Sequence, residues 1–253
     1  MKCLIAISGQ YRTFEKTYQN ILSNVINCNP DYEFDIILST DFENRNIFRY
    51  DGDINFSGET FGKQDLESRL NACYGKYLKH IIYYNIREDE RNIPGSVIFF
   101  KRNILVMNYV EENNIKYDKI ICMRFDIVFS SPVNLNFKNK LIFICGEQRN
   151  SLRIDHVSDW DFCFLSDNII TLKTFLGMLP VSSELTYNDL LDYSSKTNFE
   201  TGYIDLVKEK KRLIVEGDGS WVLGLWRKFY DLHLLGYHID FKREIYATIV
   251  KFN

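Results

Sequence analysis

Apolar residues in this chain fall into short β-rich runs that alternate with stretches of helical period. Cys3 to Ser8 predicts a first strand, followed by a loop containing Gly9 and an amphipathic helix from about Thr13 to Val25. After the Pro30-Asp31 turn, Phe34 to Ser39 predicts a second strand. Lys63 to Leu78 has helical period, His80 to Tyr84 suits a strand, and Ser96 to Glu112 is helical again, leading into a strand at Lys119. Strands alternating with helices predict a mainly parallel sheet with helices on both faces. Residues 43–61 are polar, asparagine-rich and broken by glycine, the pattern of a long loop. Beyond Asp126 the rhythm changes. Lys140 to Cys145 and Phe162 to Leu165 suit strands, whereas 168–179, 199–210 and 220–235 suit helices. Pro180-Val181-Ser182-Ser183 is the best candidate linker, but no shift of composition marks a second domain. A chain of 253 residues suffices for one large α/β core, so a single domain over 1–253 is expected.

The run from Tyr117 to Pro132 carries the most chemistry. Ile120 to Met123 is apolar on both alternations, as a central strand must be, and ends in Arg124-Phe125-Asp126. If the strand persists to Asp126, the two charges share one face. Ligands in open α/β sheets gather at the carboxyl ends of strands. The same spacing also suits an Arg–Asp ion pair capping the sheet. Gly9-Gln10-Tyr11-Arg12 ends the first strand in a similar place. A glycine lets the backbone approach a ligand closely, the next helix offers free N–H groups and a positive dipole end to phosphate, and Arg12 adds a full charge. A plain turn with a surface arginine fits the same residues. Neither a Walker sequence nor Gly-x-Gly-x-x-Gly is present.

Composition narrows the partners. A formal net charge of -3 leaves no basic footprint for nucleic acid. Asparagine, lysine, isoleucine and tyrosine are abundant and alanine scarce, as an AT-rich coding bias would produce, so asparagine-rich patches are discounted as signals. Six cysteines lie scattered without Cys-x-x-Cys spacing, which points to buried free thiols. Met1-Lys2 leads into only about five apolar residues, too few for a secretory leader, and no stretch approaches the ~20 apolar residues of a membrane span. A soluble cytoplasmic protein is expected. The aromatic C-terminal third, with Trp221, Trp226, Phe229 and Tyr230, is read as packing, with docking at a membrane surface as the alternative.

Three segments together resemble a known family. Ile5 to Phe14, Tyr117 to Pro132 and Asp159-Trp160-Asp161-Phe162 are similar, in order and spacing, to the first strand and phosphate loop, the aspartate motif and the Trp-Asp segment of GT-A type nucleotide-sugar glycosyltransferases. Arg-x-Asp here replaces the commoner Asp-x-Asp. The resemblance covers about the first two thirds of the chain and implies a GT-A-like fold, with residues 1–150 as the donor half and 151–253 as the acceptor half. It implies a nucleoside diphosphate sugar as donor and a glycan or glycoconjugate as acceptor. Asp126 would bind Mn²⁺ or Mg²⁺ with the diphosphate, while Arg124 contacts phosphate or sugar through its planar fork. Gly9, Gln10, Arg12, Asp41, Lys101 and Arg102 would bind the nucleotide; Asp41 also suits a turn cap, and Lys101 and Arg102 also suit solvated helix charges. Asp159 or Asp161 would take the acceptor's proton, which implies inversion. His156, Glu200, Asp218, His233 and His238 are secondary candidates without a motif of their own. A nucleotidyltransferase and a non-catalytic glycan- or nucleotide-binding module are the rival readings.

Overall fold

In the computed structural model of the chain, the described residues are 1–11, 13–41, 61–84, 95–138, 140–144, 163–170, 172–173, 238–242 and 247–249. They form a seven-stranded sheet in the order β3-β2-β1-β4-β7-β6-β8 and a two-stranded ribbon of β5 and β9. The strands are β1 (Lys2–Ser8), β2 (Glu33–Thr40), β3 (Leu78–Tyr83), β4 (Lys119–Met123), β5 (Ile127–Phe129), β6 (Lys140–Ile144), β7 (Phe164–Ser166), β8 (His238–Lys242) and β9 (Ala247–Ile249). The block β3-β2-β1-β4 is parallel throughout. β7 is antiparallel to both of its neighbours, β4 and β6, and β8 runs parallel to β6. The expected mainly parallel α/β sheet is therefore what forms.

Both faces of β1, β2 and β4 are covered, which is why they read as largely apolar runs, whereas the edge strand β3 leaves Lys79 and His80 exposed. Cys3, Ile5 and Ile7 of β1, Phe34, Ile36 and Leu38 of β2, and Ile121 and Met123 of β4 belong to one core. That core is closed by Phe14, Ile21 and Val25 from the first helix and by Leu66, Leu70 and Tyr74 from the second. The intervening positions point the other way by strand alternation. There the third helix packs on β1 and β2 with Ile98, Phe99, Val106, Met107 and Val110 buried.

The helices are α1 (Phe14–Ile21), α2 (Lys63–Tyr74) and α3 (Gly95–Glu112). α1 continues into a π-helical turn, Leu22–Ile26, in which the Asn27 N–H reaches back five residues to Leu22 O at 2.8 Å. α2 stops at Gly75, whose φ of +53° suits a residue without Cβ. α3 ends at Glu112 and the chain turns away at Asn114, also at φ +53°, with the Ile115 N–H bonded to Val110 O at 3.0 Å.

Two expectations need correction. The strand does not persist to Asp126: β4 stops at Met123, the chain turns through Phe125 and Asp126, and a separate short strand, β5, begins at Ile127. The C-terminal strands β8 and β9 were not among the expected strands, although β8 alternates strictly as His238-Ile239-Asp240-Phe241-Lys242; they complete the sheet edge and the ribbon. The long loop expected at 43–61 and the helices expected at 199–210 and 220–235 lie outside the described residues apart from Phe61, as does the Pro180 linker.

Candidate functional site at the carboxyl ends of the parallel strands

The ends of β1, β2 and β4 meet along one rim of the sheet. Ile7 is level with Leu38 and Met123, and Ser8 with Ser39. The chain leaves β1 through Gly9 at φ +137°, a conformation that side chains with Cβ rarely adopt, and its N–H is held by Ser39 O at 3.0 Å. A Cβ built on Gly9 would lie 3.9 Å from Phe125 Cδ2, so the first-strand loop touches the turn that follows β4. Two motifs more than a hundred residues apart thus become neighbours.

Ser8 and Ser39 are both fully buried on the alternation that turns toward α3, and among the described residues neither hydroxyl has a hydrogen-bond partner. Buried hydroxyls normally find partners, so two adjacent ones without partners single out this end of the sheet. Tyr11, 1% exposed, accepts a long hydrogen bond of 3.5 Å from the Phe61 N–H and packs ring to ring on Phe61 at 5.7 Å. Burial, with Asp41 nearby adding its negative charge, holds the Tyr11 phenol above its ordinary range.

Asp41 and Arg102 find each other. Asp41 follows the last residue of β2, Arg102 lies in the first half of α3, and Arg102 Nη2 to Asp41 Oδ2 is 2.5 Å, with side chains 3% and 8% exposed for arginine and aspartate. The same nitrogen donates to Tyr84 O at 3.3 Å. Tyr84, just past β3, is itself tied to β2 through its N–H and Thr40 O at 2.9 Å. One guanidinium therefore clamps the ends of two strands to the helix. The solvated reading of Arg102 is corrected, since an arginine at 2% exposure is no surface charge. The turn-cap reading of Asp41 gives way to a buried ion pair. Lys101, its neighbour, is half-buried.

Arg124 and Asp126 also pair. Arg124 Nε donates to Asp126 Oδ1 at 2.8 Å while Nη2 donates to Oδ2, a two-pronged contact. The pair is 25% and 19% exposed, so it borders solvent where the Asp41–Arg102 pair does not. Opposite charges meet because the turn brings them together, where an extended strand would have set them parallel.

This arrangement bears on a cation. Asp126 already has both oxygens on one arginine and Asp41 is paired with another. Among the described residues no three acidic, histidine or cysteine side chains come together. The described residues do not by themselves fit a divalent-metal site. Of the other expected site residues, Gly9 and Gln10 lie at the rim, whereas Arg12, Asp159 and Asp161 lie outside the described residues, as do His156, Glu200, Asp218 and His233. His238 is placed only as the first residue of β8.

Sequence reasoning missed the supports behind the Arg-x-Asp turn. Thr17 Oγ1 donates to Phe125 O at 2.6 Å from the interior of α1. Asn20 and Asn24 both reach Phe129 O, at 3.0 and 2.9 Å. Their spacing of three and four residues along one helix face was the available signal, hidden by discounting asparagine as compositional.

No known family model matches this chain. No curated protein matches it either. Among solved structures, the galactosyltransferase LgtC in complex with donor and acceptor sugar analogs is similar at 10% identity and a TM-score of 0.34, over 95% of this chain and 73% of that one. An active-site mutant of LgtC is similar at 11% identity and a TM-score of 0.33, over 78% of this chain and 64% of that one. Likeness at this level carries no inference about chemistry. Among the described residues no helix is long and apolar enough to cross a membrane.

Proposed function

We propose that this protein is a glycosyltransferase that moves a sugar from a nucleoside diphosphate sugar to a glycan, glycolipid or protein-linked acceptor. The observation that carries the reading is the partly exposed Arg124–Asp126 pair at the carboxyl end of β4, in contact through Phe125 with the Gly9 loop at the end of β1. A strand-end rim of a mainly parallel sheet is where such folds take nucleotides. Glycosyl transfer needs positive charge on the departing diphosphate, and Arg124 supplies it here. Gly9, Gln10 and Arg12 would meet the phosphates, and Lys101 would contact the nucleotide. Asp41 and Arg102, already paired, act on the nucleotide by holding the rim's shape.

In the transfer, the acceptor hydroxyl oxygen bonds to the anomeric carbon as the carbon–oxygen bond to the diphosphate breaks. A carboxylate, Asp159 or Asp161, takes the hydroxyl's proton, and attack opposite the leaving group inverts the anomeric centre. Mn²⁺ or Mg²⁺ at the diphosphate would need Asp126 released from Arg124 and further ligands from outside the described residues; a cation held there would offset charge on the leaving group.

Thermal unfolding tests the reading, using UDP, GDP, dTDP and CMP with and without Mn²⁺ on wild type, Arg124→Ala and Asp126→Ala. A nucleotide at about a hundred times its dissociation constant adds about 2.7 kcal/mol to stability. The expected result is a rise with one nucleotide that Arg124→Ala abolishes. A rise that also needs Mn²⁺ and vanishes in Asp126→Ala would assign the metal. If none of the nucleotides raises the melt, the transferase reading fails and a glycan-binding module takes its place.

A further inference from the structure

The chain that leaves the Arg-x-Asp turn is bound, residue after residue, by polar side chains of a single helical element. Thr17 Oγ1 makes its shortest contact, 2.6 Å, with Phe125 O, the carbonyl between Arg124 and Asp126. Asn20 makes a reciprocal pair with Phe129: Nδ2 donates to the carbonyl at 3.0 Å and Oδ1 accepts from the N–H at 2.7 Å. Asn24 adds a second donor to the same carbonyl at 2.9 Å, and its backbone carbonyl accepts the Val133 N–H at 2.7 Å. Asn29 donates to Val133 O at 2.8 Å and accepts from the Leu135 N–H at 3.2 Å.

Geometry explains the spacing. Three- and four-residue steps keep Thr17, Asn20 and Asn24 on one face of an α-helix. A further step of five residues would leave an α-helix about 140° off that face. The π-helical turn at Leu22–Ile26, bonded i to i+5, absorbs the extra residue, and Asn29 returns to the same segment in the turn that follows. β5 pairs with β9 through its other edge, so Asn20 stands where a further strand would bond to Phe129.

We propose that Thr17, Asn20 and Asn24 are positioning residues that fix the turn at 124–129, and with it the orientation of Arg124 and Asp126 toward the donor diphosphate. Thr17 acts on the peptide between the two charged residues, and the two asparagines anchor the strand just beyond. Asn29 extends the same attachment away from the site. This assignment rests on the donor-site reading, but its structural half stands apart from it.

The test uses the whole chain as wild type, Thr17→Val, Thr17→Ser and Asn20→Ala. Hydrogen exchange is followed in peptides covering 124–135 and in peptides covering β1 and β2. Binding of the nucleotide that raises the wild-type melt is measured by calorimetry well below every variant's melting temperature. Thr17→Val and Asn20→Ala are expected to speed exchange over 124–135 while β1 and β2 stay protected, and to weaken nucleotide binding by about tenfold. Thr17→Ser, which keeps the donor, is expected to restore both. Unchanged exchange over 124–135 overturns the attachment itself. Faster exchange with wild-type affinity overturns the positioning role and leaves a purely structural one. If wild type binds no nucleotide at all, the donor-site reading falls, and the positioning role falls with it even where exchange shows the attachment is real.

Discussion

Replacing Asp41 by alanine removes half of an ion pair whose side chains are 8% and 3% exposed, and the cost follows from what is left behind. Arg102 cannot shed its proton, and its remaining acceptor among the described contacts is Tyr84 O at 3.3 Å. A buried charge stripped of its partner costs about 3–5 kcal/mol. In a domain of this size that lowers the melting temperature by about 2–4 °C per kcal/mol, or about 6–20 °C in all. Arg102→Met removes the other half of the pair and is expected to destabilise as well. The double variant Asp41→Leu/Arg102→Met buries no charge and is expected within about 2 kcal/mol of wild type, on either side. Urea midpoints followed by circular dichroism give the differences, and Asp41→Leu, measured as the matching single variant, closes the cycle that gives the coupling. Single costs below about 1 kcal/mol that simply add would refute the buried-pair argument.

Three further outcomes are expected. Gly9→Ala should cost about 1–3 kcal/mol through its φ of +137° alone, since its Cβ would meet nothing closer than 3.9 Å; an unchanged urea midpoint would count against strain at that position. Burial pushes the Tyr74 phenol far up. The folded state therefore keeps that proton longer than the unfolded chain, so stability is whole below about pH 10 and falls as pH rises beyond it. Tyr74→Phe should flatten this alkaline fall and, by deleting a buried hydroxyl without a partner among the described residues, raise stability by about 1 kcal/mol, both readable in melts from neutral to alkaline pH. Asp126→Asn frees Arg124 from its carboxylate and should strengthen binding of a nucleoside diphosphate in metal-free buffer; weaker binding there, measured by calorimetry, would show that the Asp126 charge holds Arg124 in its binding geometry.

β1, β2 and β4 were legible because each is covered on both sides, so they appear as apolar runs, interrupted in β2 by Asp35, whatever their neighbours are; the edge strand β3 lacks that cover. α1, α2 and α3 were legible for the complementary reason, that local period alone sets which face is buried. β5, β8 and β9 were not. β8 does carry a polar–apolar alternation, His238 to Lys242, that could have announced it, whereas β5 and β9 are three residues each and take their partners from distant segments, as Val128 does from Thr248.

The residue types at the rim were chosen by the sequence, but their partners were not. That Gly9 ends a strand and that Arg124 and Asp126 follow one could be read directly. That Asp41 spends its charge on Arg102, sixty-one positions away in number, needed α3 folded down on β2. Likewise the end of β4 at Met123 turned a same-face pair into a two-pronged contact. Thr17, Asn20 and Asn24 gained meaning only when the Arg-x-Asp turn was laid along α1. Periodicity is a property of one segment and survives in the sequence, whereas a hydrogen bond between segments depends on where the chain returns, which only the tertiary structure decides.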